Sequence, residues 1–492
     1  MKEDAKISFP KPDNVLREKP SLKKYIKYLG FFGPGAIVAS LTVGQGQLIL
    51  GPQIGAWAGF ALLWIITINV GSYIIAYISC RFTMLSGIGI MDLFAIKTKK
   101  GWLNWLFIII MIIFIPIFTA TIITSLGQTL QWIFGFGHYL IWGISFCLLA
   151  GVMVILGRFK IFEITHTFFI VVLAIGAILS VISVILAENQ NVLEILPNFL
   201  TIGQNVPREF PEWVTSNPDY ASVTKTSIPL YMLAYLGTLT ITLITTIGYL
   251  GWIKIKRWGV FKEKKDPNVF SEKCFNDFKK NGRITYLPDK KEEIKKSRLL
   301  LKPLLVDLSL AFIVVSIISA AYMIAGAILM GPPHNKLPTD TKLVQNQLVI
   351  FTYLADWLKP IFQVGVFFAL FGTVYAGFEA ATRMLYETSK TISKKVSNID
   401  YKKFMLYVLE FILITSIPLA LKMYLDPNFS VLLLLSITLM FIGVIGVIVY
   451  GIGVVYLSQT VLPEKYKLSK TGLLIGIIGI FFMCIPLFFI FI

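Results

Sequence analysis

The chain has 492 residues, 56% of them hydrophobic, with a mean hydropathy of +0.75 and a formal net charge of +18. Apolar runs long enough to cross a hydrocarbon core of ~30 Å recur along it, which excludes a soluble globular domain and implies a polytopic, all-α membrane protein. The positive residues crowd into alternate loops, as on the cytoplasmic faces of membrane proteins, so the bilayer is the expected partner and nucleic acid is not.

Residues 1–28 form a mixed-charge basic tail, and 29–492 read as a single transmembrane domain. The tail has no cleavable-signal pattern, so the first span is expected to serve as the insertion signal. Span 1 is predicted over 28–50, span 2 over 55–82, span 3 over 102–134 and span 4 over 139–156. Span 5 follows a short basic turn and ends near residue 186; residues 188–226, with five carboxylates against Arg208 and Lys225, read as an outside loop. Span 6 is predicted over 228–252. The segment 254–302 then carries sixteen Lys/Arg and seven Asp/Glu and reads as an inside loop. Spans 7 to 11 are predicted over 303–330, 358–385, 404–421, 429–457 and 471–490. The loop charges agree with eleven spans in the cell membrane, a cytoplasmic N-terminus and an external C-terminus.

Span 1 is the unusual one. Gly33, Pro34, Gly35, Gly44, Gly46, Gly51 and Pro52 punctuate it, and Gly44-Gln45-Gly46-Gln47 sits about half-way along. Gly and Pro weaken a helix, and a broken backbone survives in lipid only where protein or a wet cavity satisfies it. An unwound span with polar groups at mid-bilayer is a way to build a transporter site; a Gly-rich packing face between helices is the other reading. Span 6 is dense in hydroxyls, from Thr238, Thr240 and Thr242 to Thr245 and Thr246. They either line a site or bond back to their own helix carbonyls. In span 8, Glu379 and Arg383 stand four apart on one helix face. They are either a coupling group beside the site or an internal ion pair.

At span 1 the chain resembles the Nramp family of divalent-metal transporters. The family's first helix opens with Gly-Pro, unwinds at Asp-Pro-Gly-Asn, and runs through Gln-Ala-Gly to Leu-Leu-Trp. Gly33-Pro34, Gln53-Ile54-Gly55 and Leu62-Leu63-Trp64 fall at those spacings, and Ser86-Gly87 stands where the family has Thr-Gly. The resemblance implies a LeuT-type fold, in which spans 1–5 and 6–10 are inverted repeats and helices 1 and 6 are broken and face each other. It places Gly44-Gln45-Gly46-Gln47 at the unwound motif and, counting from Leu236-Gly237, Ile241-Thr242-Leu243 at the family's Met-Pro-His. In span 3, counted from Gly127, Thr121 and Thr124 stand where the family has a carboxylate pair. The metal-binding and proton-relay residues of the family are therefore missing here. Pro333-His334-Asn335 mimics a family motif but stands in a polar loop after span 7.

The expected binding site is thus Gly44, Gln45, Gly46, Gln47, Thr240 and Thr242, an uncharged set that suits a small ion or small-molecule substrate better than a dehydrated transition metal. No resident metal or cofactor is expected. His138, His166 and His334 are scattered, and Cys80, Cys147, Cys274 and Cys484 lack ligand spacing. Glu163, His166 and Asp307 near span ends read as anchors. No acid/base pair, nucleophile or phosphate loop suggests an enzyme. The chain reads as a secondary transporter of Nramp type with a diverged site. The alternatives are a carrier of a small organic solute, with or without Na⁺, and a membrane sensor that transports nothing; the oligomeric state stays open.

Overall fold

The computed structural model of the chain describes residues 6–157, 159–187, 191–339, 344–426 and 429–491, without the side chains of Ser40, Val43, Gln45 and, Phe168 apart, residues 159–170. The expectations for Gln45, Glu163 and His166 as side chains therefore lie outside the described residues. Among the described residues all regular structure is helical. Among the described residues eight helices are long and apolar enough to cross a membrane, and they coincide with spans 2, 3 and 6 to 11. The helix Tyr139–Ile155 lies at span 4 and Phe159–Ala187 at span 5. The chain is an integral, multi-pass membrane protein.

Span 3 is Trp102–Phe134, as predicted, because glycines stop it at both ends: Gly101 and Gly135 take φ of 65° and 75°. Span 1 departs from expectation. It begins as an α-helix at Pro34–Thr42, widens into a π-helix at Val43–Leu50, and continues as an α-helix through Gly51–Ala58. Gly44 to Gln47 are therefore wound, not unwound. The Gly51 N–H reaches back five residues to the Gly46 carbonyl. That wider turn absorbs Pro52, whose ring would collide with a carbonyl four residues earlier in a regular helix. Span 1 consequently ends at Gly59, and span 2 begins only at Trp64.

Span 6 is broken as predicted. It runs Ile228–Leu239, interrupts at Thr240–Thr242, and resumes at Leu243–Lys256. Span 10 carries a π-helical stretch of its own at Met440–Ile445, between Val431–Leu439 and Gly446–Thr460, which no sequence pattern suggested. Small residues let these irregular helices press together. A Cβ added at Gly237 would sit 2.4 Å from the Leu439 carbonyl of span 10. One added at Gly55 would sit 2.0 Å from the Met323 carbonyl of span 7, which is Lys302–Leu329.

Asp307 ties the starts of spans 1 and 7 and the second half of span 6 into one junction. Its two carboxylate oxygens accept from the N–H groups of Gly33 (2.8 Å) and Gly35 (2.6 Å), and the Tyr249 hydroxyl donates to it as well. The carboxylate is buried, and it caps the N-terminus of span 1 from 272 residues away. It is the helix anchor anticipated from the sequence. Asp307→Ala strands two backbone donors and a hydroxyl, so unfolding in detergent should show a loss of roughly 3 kcal/mol or more. Asp307→Asn, which keeps one acceptor oxygen, should lose less.

The described part of the N-terminal tail lies on the basic segment 254–302, which itself holds helices Pro267–Asn281 and Lys291–Leu300. Ile7 N–H donates to the Tyr286 carbonyl at 2.9 Å, Phe9 N–H donates to Glu293 at 2.7 Å, and the Phe9 ring is buried. Lys6 pairs with Asp289 and holds that carboxyl below its ordinary range. Partial burial pulls the Glu293 carboxyl upward, but Lys296 and the Phe9 N–H outweigh it and the group titrates low. A carboxyl held low when docked binds its proton more weakly there than when released. These two therefore favour docking above their ordinary range and cease to do so as pH falls through their lowered values. Limited proteolysis with an acid-active protease should find the first fifteen or so residues increasingly cleavable below about pH 4.

Candidate binding site

The break in span 6 exposes backbone groups that a regular helix would satisfy. Neighbouring spans take them up. The Asn69 amide of span 2 donates to the Leu239 carbonyl at 2.9 Å, and Ser72 accepts from the Ile241 N–H at 3.2 Å. Thr240 donates to the Gly237 carbonyl and to the Gly443 carbonyl of span 10, each at 3.0 Å. Thr246 closes the start of the second half by donating to the Ile241 carbonyl at 3.0 Å. The interruption is thus held by spans 2 and 10 in a fixed shape.

Beside it lies a cavity with a free volume of about 70 Å³. Span 1 contributes Thr42 and Gly46, span 3 contributes Phe118, Thr119 and Ile122, and span 6 contributes Thr238, Thr242 and Thr245. Span 8, which is Lys359–Ser389, adds Thr373, Gly377 and Phe378, and span 10 adds Leu439 and Ile442. Among the described residues no ionisable side chain lines it. Three of its hydroxyls spend their proton on their own helix: Thr42 on Ala39 (2.8 Å), Thr238 on Tyr235 (2.7 Å), Thr373 on Ala369 (2.9 Å). Thr242 and Thr245 share a hydrogen bond of 3.0 Å. A hydroxyl used this way keeps acceptor lone pairs and little donor capacity. Back-bonding and site lining, posed as alternatives for span 6, hold together.

Two of the six residues nominated from the sequence, Gly46 and Thr242, line this cavity. The others do not. Gly44 faces span 8, where an added Cβ would lie 1.9 Å from Thr373 Oγ1, so its role is close packing. Gln47 is fully buried and turned to span 7, donating to Ser319 at 3.0 Å. Thr240 is used up in bracing the break. In span 3, Thr121 and Thr124 bond to their own helix, and Thr119 takes the cavity position. Because this stretch is wound as a π-helix and not unwound, Gln47 stays on the face toward span 7, and Thr42, at the end of the preceding α-helix, takes the cavity position. His334 lies in an exposed loop after span 7. Among the described residues, no three His, Cys, Asp or Glu side chains come together as a metal cluster would require.

Among the described residues the salt bridges lie toward the bundle end that carries segment 254–302. Glu379 accepts from Arg383 Nε at 2.9 Å and from Nη2 at 2.5 Å, and its other oxygen accepts from Trp252 Nε1 of span 6 at 3.2 Å. The Arg383 guanidinium lies over the Tyr401 ring at the start of span 9, Tyr401–Leu425. The pair links spans 6, 8 and 9. Two turns further on, Glu387 pairs with Lys390 (2.6 Å) and faces Lys254 (3.9 Å), while Lys390 also approaches Asp92 (4.0 Å). Sequence reasoning missed this second cluster; its one signal was the Glu387–Lys390 spacing.

No protein-family model matches the chain, and no curated protein matches it in sequence. Solved structures do. The all-helical bundle, with its interrupted helix beside a lined cavity, has the LeuT-type transporter fold. A manganese transporter of Eremococcus coleocola is similar over 97% of this chain and 89% of its own, at a TM-score of 0.57 and 14% identity. MhsT in complex with L-phenylalanine is similar over 93% of this chain and 97% of its own, at a TM-score of 0.52 and 15% identity.

Glu379→Ala leaves Arg383 buried without its carboxylate and should cost about 3–5 kcal/mol in detergent unfolding. Replacing both, Glu379→Met with Arg383→Met, should recover most of that loss. Recovery of stability without recovery of function would instead make the pair part of the working cycle.

Proposed function

We propose that the chain is a secondary-active transporter, a divergent relative of the Nramp-type carriers, that binds its substrate in the cavity beside the break in span 6. The observation that carries this reading is the cavity itself. It lies where an interrupted helix, a π-helical turn and three further spans meet, and it is lined by hydroxyl oxygens and apolar surface without an ionisable group. The register from Gly33-Pro34 to Leu62-Leu63-Trp64 supports the relation to Nramp proteins, as does the likeness in fold. The loop charges support eleven spans, with segment 254–302 and the N-terminus on the cytoplasmic side and the C-terminus outside. Two inverted five-span repeats follow from the same relation.

Neutral acceptor oxygens set the substrate class. A divalent cation of the kind Nramp proteins carry is accepted here only with much of its water retained, because no carboxylate, imidazole or thioether offsets its desolvation. The apolar wall of Phe118, Ile122, Phe378 and Ile442 favours a second reading, a compact solute with an apolar body and one donor group such as an ammonium. Both enter through the same cavity.

Gly377 supplies the test. An added Cβ there meets nothing within 4 Å, and the residue lines the cavity. Gly377→Leu should therefore fold normally, fill the space and abolish both solute-dependent thermal stabilisation and uptake into proteoliposomes. Thr242→Ala should weaken binding roughly tenfold, the effect of one lost hydrogen bond to a charged group. Uptake that persists undiminished in Gly377→Leu would show that the cavity is not the route.

A further inference from the structure

A second pocket, of about 500 Å³, lies at the end of the bundle that carries segment 254–302, far in sequence and composition from the cavity described above. Span 2, the helix Lys291–Leu300 and the loop between spans 10 and 11 enclose it. Five cationic side chains line it: Arg81, Arg298, Lys302, Lys465 and Lys467. No carboxylate does. Among the described residues Arg81, Arg298 and Lys302 make no ion pair.

Arg81 is the informative one. It rises from span 2, donates through Nη2 to the Tyr466 carbonyl (2.7 Å) and the Lys467 carbonyl (3.1 Å), and is fixed in place by them. Its other terminal nitrogen, Nη1, is buried and has no hydrogen-bond partner. A buried guanidinium donor left unmade is costly, and a phosphate oxygen would satisfy it. The pocket also receives the start of span 11. Ser469 caps the 19-residue helix Lys470–Phe488, and both Ser469 and Gly472 line the pocket, so the positive end of that helix is directed at it. Its remaining lining includes Ser297, two tyrosines and a set of leucines, with Leu301 and Leu468 inside and Leu305, 52% exposed, on the outer surface of span 7. A cationic recess that opens onto an apolar, outward-facing helix surface fits an amphipathic ligand held at a membrane interface.

We propose that this pocket binds the phosphate-bearing headgroup of a polyanionic lipid in the leaflet at the basic end of the bundle. Arg81 and the start of span 11 hold a phosphate, Arg298 and Lys302 hold the outer negative charge, and the acyl chains lie along span 7. The inference does not depend on what the central cavity carries.

The test uses the full-length protein in detergent, titrated separately with a diphosphatidyl lipid, with phosphatidylcholine and with inorganic pyrophosphate, and read by thermal unfolding and by lipid retention in native mass spectrometry. The diphosphatidyl lipid should raise the melting temperature and remain bound, and phosphatidylcholine should do neither. Arg298→Gln with Lys302→Gln, both at the pocket's outer side, should weaken the lipid effect roughly 5-fold per charge, about 25-fold for the pair. Lys279→Gln with Lys280→Gln, on the helix Pro267–Asn281, removes the same charge elsewhere and should leave the effect intact. Equal stabilisation by pyrophosphate would reassign the pocket to a soluble phosphate and overturn the lipid. An unchanged response in the Arg298/Lys302 variant, or no response in the unaltered protein, would overturn the site.

Discussion

The constraint on which the structure depends is that an interrupted helix inside an apolar bundle must still satisfy its backbone. Span 6 breaks at Thr240–Thr242, and its stranded groups are met by Asn69, Ser72, Thr240 and Thr246. Span 1 avoids a full break by widening into a π-helix, and its N-terminal N–H groups are met by Asp307. Glycines at 44, 46, 55 and 237 then bring the neighbours close enough to make those bonds. The irregular helices are therefore rigid features rather than loose ones. A cavity beside them keeps its shape for the same reason.

The same constraint governs the chemistry available to a substrate. Hydroxyls that stabilise their own helix by donating to its carbonyls present acceptor oxygen to the cavity, which offers acceptors without carrying charge. Charge is kept where it can be paired. Asp307 sits at a helix start, Glu379 and Arg383 link three spans, and Glu387, Lys390, Lys254 and Asp92 form a cluster at the basic end. The fold is shared at 14% identity with a manganese transporter, so it does not require one particular sequence.

Arg81 illustrates how a buried donor left over from structural duty becomes a site. One of its nitrogens fixes the loop between spans 10 and 11, the other is buried without a partner, and the residue lines a cationic recess. Basic residues that seem interchangeable in the sequence are sorted by the fold: Lys465 and Lys467 have carboxylates beside them, Arg298 and Lys302 do not.

Span positions were legible because each is a run of apolar residues bounded by charge or glycine, and the free energy of leaving water depends on composition over some twenty residues. Trp102–Phe134 was placed to the residue for that reason, and the break in span 6 was foreshadowed by its hydroxyls and by Gly237. What the side chains of span 1 face was not legible. Each residue turns a helix by about 100°, so one wide turn reassigns every position beyond it, and the sequence contains no mark of that turn beyond Pro52. Nor could pattern alone join Asp307 to Gly35 across 272 residues, or Arg81 to the Tyr466 carbonyl across 385. Transfer from water to lipid is a local property of the chain, whereas which polar group meets which is decided only when the helices pack.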